Sequence, residues 1–184
     1  MLKTDIKLLD ARIADFLRPS SRMAAGLDLR ACWVQPDITK RDIMKLDTHM
    51  GISEYIIQPG QKVMIGSGIA LDLGGTRYVD GPCSSLVAQE PSMSIAAILL
   101  PRSGLGSKLD IRLANTIGLI DADYQGEIIM AVVNGGTEPF PVKPLDRLVQ
   151  MVVLPVMCPE YNVVDEFKEK TLRGSGGFGS TGKG

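Results

Sequence analysis

The chain has 184 residues, of which 45% are hydrophobic, and its 20 Lys and Arg nearly balance its 21 Asp and Glu. This length suits one domain with a real core, and the net charge of -1 excludes a general basic surface for nucleic acid, so any phosphate must be held locally. One histidine, His49, and three cysteines without C-x-x-C spacing argue against a histidine relay, a zinc site and a disulfide framework.

The N-terminal segment and the apolar runs bear on where the protein resides. Residues 1–16 carry charges throughout, which leaves no apolar core for a signal peptide. The longest apolar runs, 95–100 and 151–157, are far shorter than the ~20 residues needed to span a bilayer. We therefore expect a soluble protein of a reducing cytoplasm, with no membrane contact.

The first predicted strands precede a segment of different character. Residues 6–9 suit an edge strand, and the alternation over 27–32 predicts a strand whose solvated face carries Asp28 and Arg30. From residue 33 to residue 54 the sequence is typical of an insertion, with a short helix capped by Asp37 or Thr39. We expect the apolar residues of that segment, Ile43, Met44 and Leu46, to pack against the rest of the protein.

The remaining strands are short apolar segments between turn residues. They are predicted at 55–57, 62–65, 69–73, 94–100, 139–142 and 148–156. Residues 74–92 are polar and predict a loop, most of which, 75–92, we interpret as a second insertion. Short strands at regular spacing without a long helical period predict an all-β sandwich or barrel.

The segment 115–127 carries the strongest functional signal. Apolar residues flank it on both sides, so it predicts a β-hairpin with an exposed acidic tip. The tip holds two carboxylates, Asp121 and Asp123, and the phenol of Tyr124, with the carboxamide of Asn115 at its start. Polar groups on a rigidly held loop are typical of binding and catalysis, although an ordinary solvated turn has a similar composition. With one histidine in the chain, a base is expected to be a carboxylate, ionised at neutral pH because Asp titrates at about 3.9.

The C-terminal twelve residues have a different composition. Six of the twelve are glycine, so residues 173–184 cannot hold a fixed conformation alone. A disordered end is one interpretation. The other is a mobile segment that wraps a nucleotide, because it offers the cation of Arg173, the ring of Phe178 and the hydroxyls of Ser180 and Thr181.

Five sequence blocks together identify a resemblance. In chain order they are AGLDLRA (25–31), PRSGL (101–105), GLIDADYQG (118–126), DRLVQ (146–150) and RGSGGFGSTG (173–182). In this order they resemble the trimeric dUTPase family, the deoxyuridine triphosphate nucleotidohydrolases. One departure is Leu145, which stands where a Gly usually precedes the acidic residue of the fourth block.

The resemblance implies an architecture. The family fold is a β-clip or jelly-roll-like barrel, assembled as a homotrimer whose sites lie between subunits and take a swapped C-terminal arm. For this chain it implies one domain at 1–172, with insertions near 33–54 and 75–92, and a Gly-rich mobile tail at 173–184 that closes the active site.

The resemblance also implies the reaction. The family hydrolyses dUTP to dUMP and pyrophosphate, which limits uracil in DNA and supplies dUMP for thymidylate synthesis. Mg²⁺ is bound to the triphosphate, and water attacks the α-phosphorus. Asp121 would orient and deprotonate that water. Asp28 would reach the metal through water.

The substrate-binding residues follow by position. Asn115 and the backbone at Leu119 and Ile120 would bind uracil, Ile129 would add main-chain contact, and Tyr124 would pack beneath the deoxyribose. The expected phosphate-binding residues are Arg102, Ser103, Gly104 and Gln150, and the tail residues Arg173, Phe178, Ser180 and Thr181 would wrap the nucleotide. Arg147 is assigned to a surface carboxylate and Asp123 to the turn, outside the catalytic set.

Two alternatives stay open at this point. One is a dCTP deaminase of the same fold, against which Gly104 stands where such proteins have a second Ser. The other is a nucleotide-binding regulatory relative that contacts a protein partner through its insertions. Intact Asp121 and Arg102 argue against a dead site but leave a second binding role open.

Overall fold

Strands are the main regular structure of the computed structural model, which describes residues 2–78 and 93–175. The strands are β1 Leu2–Leu8, β2 Leu27–Arg30, β3 Trp33–Gln35, β4 Met44–Lys45, β5 Tyr55–Ile57, β6 Lys62–Tyr78, β7 Met93–Pro101, β8 Ile111–Leu113, β9 Gly118–Ile120, β10 Glu127–Asn134, β11 Phe140–Val142 and β12 Arg147–Met157. Two short helical segments accompany them, a 3-10 helix at Ala11–Phe16 and α1 at Ser103–Leu109. The all-β prediction is confirmed. Within the described ranges, no helix has the length and apolar character needed to cross a membrane.

The strands form three antiparallel sheets. The largest has the order β4-β3-β6-β10-β8, with β1 also paired to β6. The second has the order β2-β12-β7-β9, and β11 pairs with β5 in a two-stranded sheet. The second sheet matters most for function, because it brings the first, second and fourth sequence blocks side by side.

One hydrophobic core joins the three sheets. Its most completely buried large side chains are Leu29, Val34, Leu46, Ile57, Val63, Ile65, Ile69, Leu73, Leu99, Leu113, Ile128 and Met130. Strand β6 is buried continuously over residues 65–71, because β1, β3 and β10 pair along it and both its faces are covered. Such a strand has a long apolar run in place of strict alternation.

The two strands predicted at 62–65 and 69–73 are one continuous strand, β6, which has a bulge at Gly68. Gly68 has a φ of +71°, and a Cβ there would lie 2.7 Å from Cys32 Sγ. Across the bulge, Ile129 pairs with Gly66 and Glu127 with Ala70, so β6 carries two extra residues. The predicted break between residues 65 and 69 was therefore wrong.

The predicted helix within 33–54 was also wrong. This segment contributes β3 and β4, and β3 pairs with β6 in the largest sheet. Asp37 Oδ1 accepts from the Thr39 backbone at 2.9 Å and from its hydroxyl at 2.7 Å, which is a local turn rather than a helix cap. Leu46 is fully buried as expected, whereas Ile43 is exposed.

Two more boundaries differ from the prediction. Strand β6 continues to Tyr78, so residues 74–78 are strand rather than loop, and residues 77 and 78 pair with β1. Helix α1 follows Arg102 despite two glycines in its seven residues. It ends at Asp110, which has a φ of +51° and donates its backbone N–H to the carbonyl of Leu105.

Candidate active site

The acidic segment 121–126 is a corner between two sheets. Strand β9 before it pairs with β7, whereas β10 after it pairs with β6 and β8, so the predicted hairpin was wrong. The turn is closed by the N–H of Tyr124, which donates to the carbonyl of Asp121 at 3.2 Å. The N–H of Gly74 donates to the Ala122 carbonyl at 2.9 Å and ties the corner to β6.

The end of the corner is fixed by Glu127. Its carboxylate accepts from the Gly68 N–H at 2.8 Å and from Trp33 Nε1 at 3.0 Å. The carbonyl of Glu127 also accepts from the hydroxyl of Tyr124 at 2.9 Å. The bulge in β6 therefore anchors the residue at which the corner enters β10. We did not identify Glu127 from sequence, because its partners are 59 and 94 residues away.

A small cavity opens at this corner. It has a volume of about 170 Å³ and is lined by Leu119, Ile120, Asp121, Tyr124 and Ile129. Asp121 is exposed at its rim, and Tyr124 presents a ring that is 42% accessible. The structure thus brings together five of the residues assigned to base, sugar and water.

Asn115 lies before β9 on a strained turn. The N–H of Ile117 donates to the Asn115 carbonyl at 2.7 Å, and Thr116 between them has a φ of +67°. A β-branched residue rarely adopts this conformation, and such turns are concentrated at functional sites. Asn115 itself is exposed and available to a ligand.

A second cluster of polar side chains surrounds Asp28 on β2, at the edge of the second sheet opposite to β9. Asp28 Oδ1 lies 3.2 Å from Arg102 Nε, and Asp28 Oδ2 lies 3.3 Å from Arg147 Nη1. Arg102 Nη1 also donates to the Arg147 carbonyl at 3.3 Å. Arg147 was expected to contact a surface carboxylate, and that carboxylate is Asp28. We call Asp28, Arg102 and Arg147 the arginine cluster.

The arginine cluster has donors to spare for an anion. Two guanidinium groups face one carboxylate, and Arg102 Nε is buried without an aligned hydrogen-bond acceptor although Asp28 is near. Gln150 lies opposite Asp28 on β12, half-buried, and Ser103 and Gly104 follow Arg102 in exposed positions. Two cations beside one carboxylate leave an excess of positive charge, which favours phosphate binding.

A cavity of about 290 Å³ adjoins the arginine cluster. Arg30, Asp28 and Arg147 line it together with residues 15–20. The guanidinium of Arg30 stacks on the Phe16 ring at 3.7 Å and donates to the Leu145 carbonyl at 3.0 Å. Burial, and then the positive charge of Arg147, lower the pKa of Arg30.

The corner and the arginine cluster lie far apart within one chain. Ile120 pairs with Ala97, and Arg102 follows Ala97 by five residues beyond the same strand. At the usual rise per residue, the backbones of Ile120 and Arg102 are therefore separated by ~17 Å, and Asp121 extends the distance. The corner and the arginine cluster therefore do not form one compact site within a chain.

The carboxylates are compatible with a metal carried by the substrate. The described residues contain no cluster of three or more His, Cys, Asp or Glu side chains that would hold an ion by themselves. Mg²⁺ commonly uses one or two carboxylates together with substrate phosphates and water, and the exposed side of the Asp28 carboxylate is compatible with that role.

Other nucleophilic or basic side chains lie outside these groups. Burial raises the pKa of the Cys32 thiol to about 12, so it stays protonated at neutral pH. His49 is exposed in the 33–54 segment. Arg173 is exposed near the end of the described chain, while the predicted Phe178, Ser180 and Thr181 lie outside the described residues.

Comparison with known proteins identifies relatives over the whole chain. The model of the dUTPase family matches residues 83–182. The deoxyuridine 5'-triphosphate nucleotidohydrolase of Bordetella pertussis strain Tohama I is 40% identical over 185 residues, with 100% of both chains covered. The protein of the same name from Paraburkholderia xenovorans is 39% identical, with 99% of each chain covered.

Solved structures share the fold at low sequence identity. The dUTPase of Staphylococcus bacteriophage 80alpha with dUpNHpp has a TM-score of 0.65 and 20% identity, covering 98% of this chain and 99% of that one. A mutant dUTPase from phage phi11 of S. aureus, whose structure reveals the coordination of a structural Mg(II) ion, has a TM-score of 0.59 and 18% identity, covering 91% of this chain and 99% of that one.

Proposed function

The chain belongs to the dUTPase family, and on that premise we propose that it hydrolyses dUTP to dUMP and pyrophosphate. The observation that carries the proposal is the corner cavity, where an exposed carboxylate and a tyrosine ring stand beside a space of about 170 Å³. A cavity of this size accepts one nucleobase and part of its sugar. A nucleotide bound there would have its α-phosphate next to Asp121.

Asp121 acts as the general base. Its side chain is exposed at the cavity rim, and the turn hydrogen bond from Tyr124 fixes its backbone. A carboxylate at hydrogen-bond distance orients a water and accepts its proton as that water attacks the α-phosphorus. The leaving group is pyrophosphate, so the bond that breaks joins the α-phosphorus to the bridging oxygen.

Uracil and deoxyribose bind at the corner itself. Asn115 and the backbone of Leu119 and Ile120 supply donors and acceptors to the uracil edge, with Ile129 adding main-chain contact from β10. Tyr124 lies under the sugar, and its ring leaves no space for a 2′-hydroxyl. The hydroxyl of Tyr124 is already used by the Glu127 carbonyl, so the ring acts through its shape.

The arginine cluster holds the phosphates. Arg102 offers its guanidinium to a phosphate oxygen, Ser103 and the Gly104 backbone approach from the start of α1, and Gln150 adds a neutral donor. Asp28 would hold Mg²⁺ through water, and the ion would screen the negative charge that accumulates on the triphosphate.

Two chains complete each site in this proposal. Since the corner and the arginine cluster of one chain are separated by ~17 Å or more, a dUTP bound at one corner must take its phosphate ligands from a neighbouring chain. A homotrimer with cyclic symmetry supplies that arrangement three times. The Gly-rich tail then closes each site, with Arg173 and Phe178 over the nucleotide and with Ser180 and Thr181 on its phosphates.

Parallel assays of two products test the proposed function. With dUTP and Mg²⁺ we expect pyrophosphate release, and with dCTP we expect no ammonia. Ammonia from dCTP would identify the deaminase alternative instead. Binding of dUpNHpp without any pyrophosphate release from dUTP would identify a regulatory, non-catalytic relative.

Sugar discrimination is tested at Tyr124. Because the ring excludes a 2′-hydroxyl by occupying space, Tyr124→Ala should reduce the preference for dUTP over UTP by at least about tenfold in kcat/KM. The matched control is Tyr124→Phe, which keeps the ring, loses the hydrogen bond to Glu127 and should keep most of the preference. If the folded Ala variant discriminates like the parent protein, sugar selection depends on another residue.

A further inference from the structure

A strained turn stands directly before the arginine cluster. Leu145 has a φ of +65°, in a region that side chains other than Gly rarely adopt. It follows Pro144, and the N–H of Asp146 donates to the Lys143 carbonyl at 3.1 Å. A turn with Pro at its second position and positive φ at its third normally requires Gly at the third. Leu145 therefore occupies a glycine conformation at a cost.

Hydrogen bonds to the turn resist its relaxation. The Leu145 N–H donates to the Ala31 carbonyl at 2.8 Å, and the Leu145 carbonyl accepts from Arg30 Nη1 at 3.0 Å. The first is a main-chain contact that any residue at 145 can make. The second depends on one side chain, which is held in place by its stacking on Phe16 at 3.7 Å. Arg30 is thus the side chain that fixes the carbonyl of the strained residue.

The turn sets the position of the phosphate-binding groups. Two residues after Leu145, strand β12 begins at Arg147, whose carbonyl accepts from Arg102 and whose side chain contacts Asp28. If Leu145 relaxed toward negative φ, the start of β12 would move, and both contacts would change. The backbone of Arg147 is therefore the link between the turn and Arg102.

We propose that Arg30 is a positioning residue for triphosphate binding, acting by clamping the strained Leu145 turn that aligns Arg147 and Arg102. The inference rests on the proposed hydrolysis of dUTP. In this proposal Arg30 acts on the substrate only through the turn, because its Nη1 donates to the Leu145 carbonyl and its guanidinium stacks on Phe16. Because a Gly at position 145 would need no clamp, the dependence on Arg30 follows from the leucine in this chain.

The test first removes the hydrogen bond from Arg30 to the turn and then removes the backbone strain at residue 145. Arg30→Met keeps a long side chain without donors, and we expect it to raise the KM for dUTP about tenfold, with a smaller effect on kcat. Leu145→Gly alone should leave KM unchanged. In the double variant, Gly adopts the turn without strain, so most of the KM increase should disappear.

Two outcomes would overturn the proposal. An unchanged KM in folded Arg30→Met would show that the clamp does not matter. A raised KM that Leu145→Gly fails to restore would show that Arg30 acts on the phosphates directly. Should Arg30→Met not fold, Phe16→Leu loosens the same guanidinium and must give the same rescue pattern.

Binding measurements separate this proposal from the proposed function. In the Arg30→Met variant, the affinity for dUpNHpp should fall while the affinity for dUMP, which lacks the β- and γ-phosphates, should change little. These affinities can be measured whether or not the protein turns over dUTP. Equal losses for both ligands would contradict a role in triphosphate positioning.

Discussion

Replacing Asp121 with Asn should abolish most hydrolysis of dUTP while leaving the nucleotide bound. The substitution keeps the shape of the side chain and the turn hydrogen bond, which uses the Asp121 carbonyl of the main chain. It removes the group that takes the proton from water, and loss of a general base typically costs at least ~10²-fold in rate. The measurement is kcat for pyrophosphate release, together with the affinity for dUpNHpp, which should stay near that of the parent protein.

Asp123→Asn is the matched control for this prediction. Asp123 is an exposed carboxylate two residues away on the same corner, so the two variants change the net charge of the same loop equally. We expect near-normal turnover from Asp123→Asn. Comparable losses in both variants would indicate an effect of loop charge, and near-normal turnover in Asp121→Asn would remove Asp121 from the mechanism.

Local sequence patterns were enough to predict the fold class. Alternation and turn residues correctly indicated a β protein and located β2 and β12 closely. They failed where a distant contact decides the structure. The break assigned between 65 and 69 is a bulge that the Glu127 carboxylate stabilises from 59 residues away. The helix assigned to 33–54 gave way to pairing with β6, because a sheet neighbour can override a weak local cap signal.

The central segment shows the same limit. Residues 115–127 have the composition of a hairpin, yet β9 finds its partner on β7 and β10 finds its partners on β6 and β8. Nothing within the segment encodes that choice. The corner nevertheless puts Asp121 and Tyr124 beside one cavity, as the sequence blocks had suggested.

Sequence reasoning proposed site residues but did not predict how they are grouped. The resemblance assigned Arg102 and Gln150 to phosphate and Asp28 to the metal, and the register of β2 against β12 places the three together. The contact of Arg147 with Asp28 depends on that register, which spans 119 residues of sequence, so no local pattern predicts it. The role of the tail residues and the sharing of sites between chains remain proposals.

The sharing of sites is the central claim, and a hybrid assembly tests it. One chain carries Asp121→Asn and keeps its arginine cluster, and the other carries Arg102→Ala and keeps its corner. Each variant alone should be nearly inactive, since every site in it lacks either the base or the main phosphate ligand. Loss of the half-buried guanidinium of Arg102 also leaves Asp28 with Arg147 alone.

Co-expression of the two differently tagged chains, followed by purification of assemblies that hold both tags, gives the decisive measurement. In a cyclic trimer that contains both variant chains, one of the three junctions joins an intact corner to an intact arginine cluster. Pyrophosphate release should therefore recover to about one third of the rate of the unsubstituted protein. Verified hybrids that stay as inactive as the two parent variants would contradict the claim, because each site would then take Asp121 and Arg102 from the same chain.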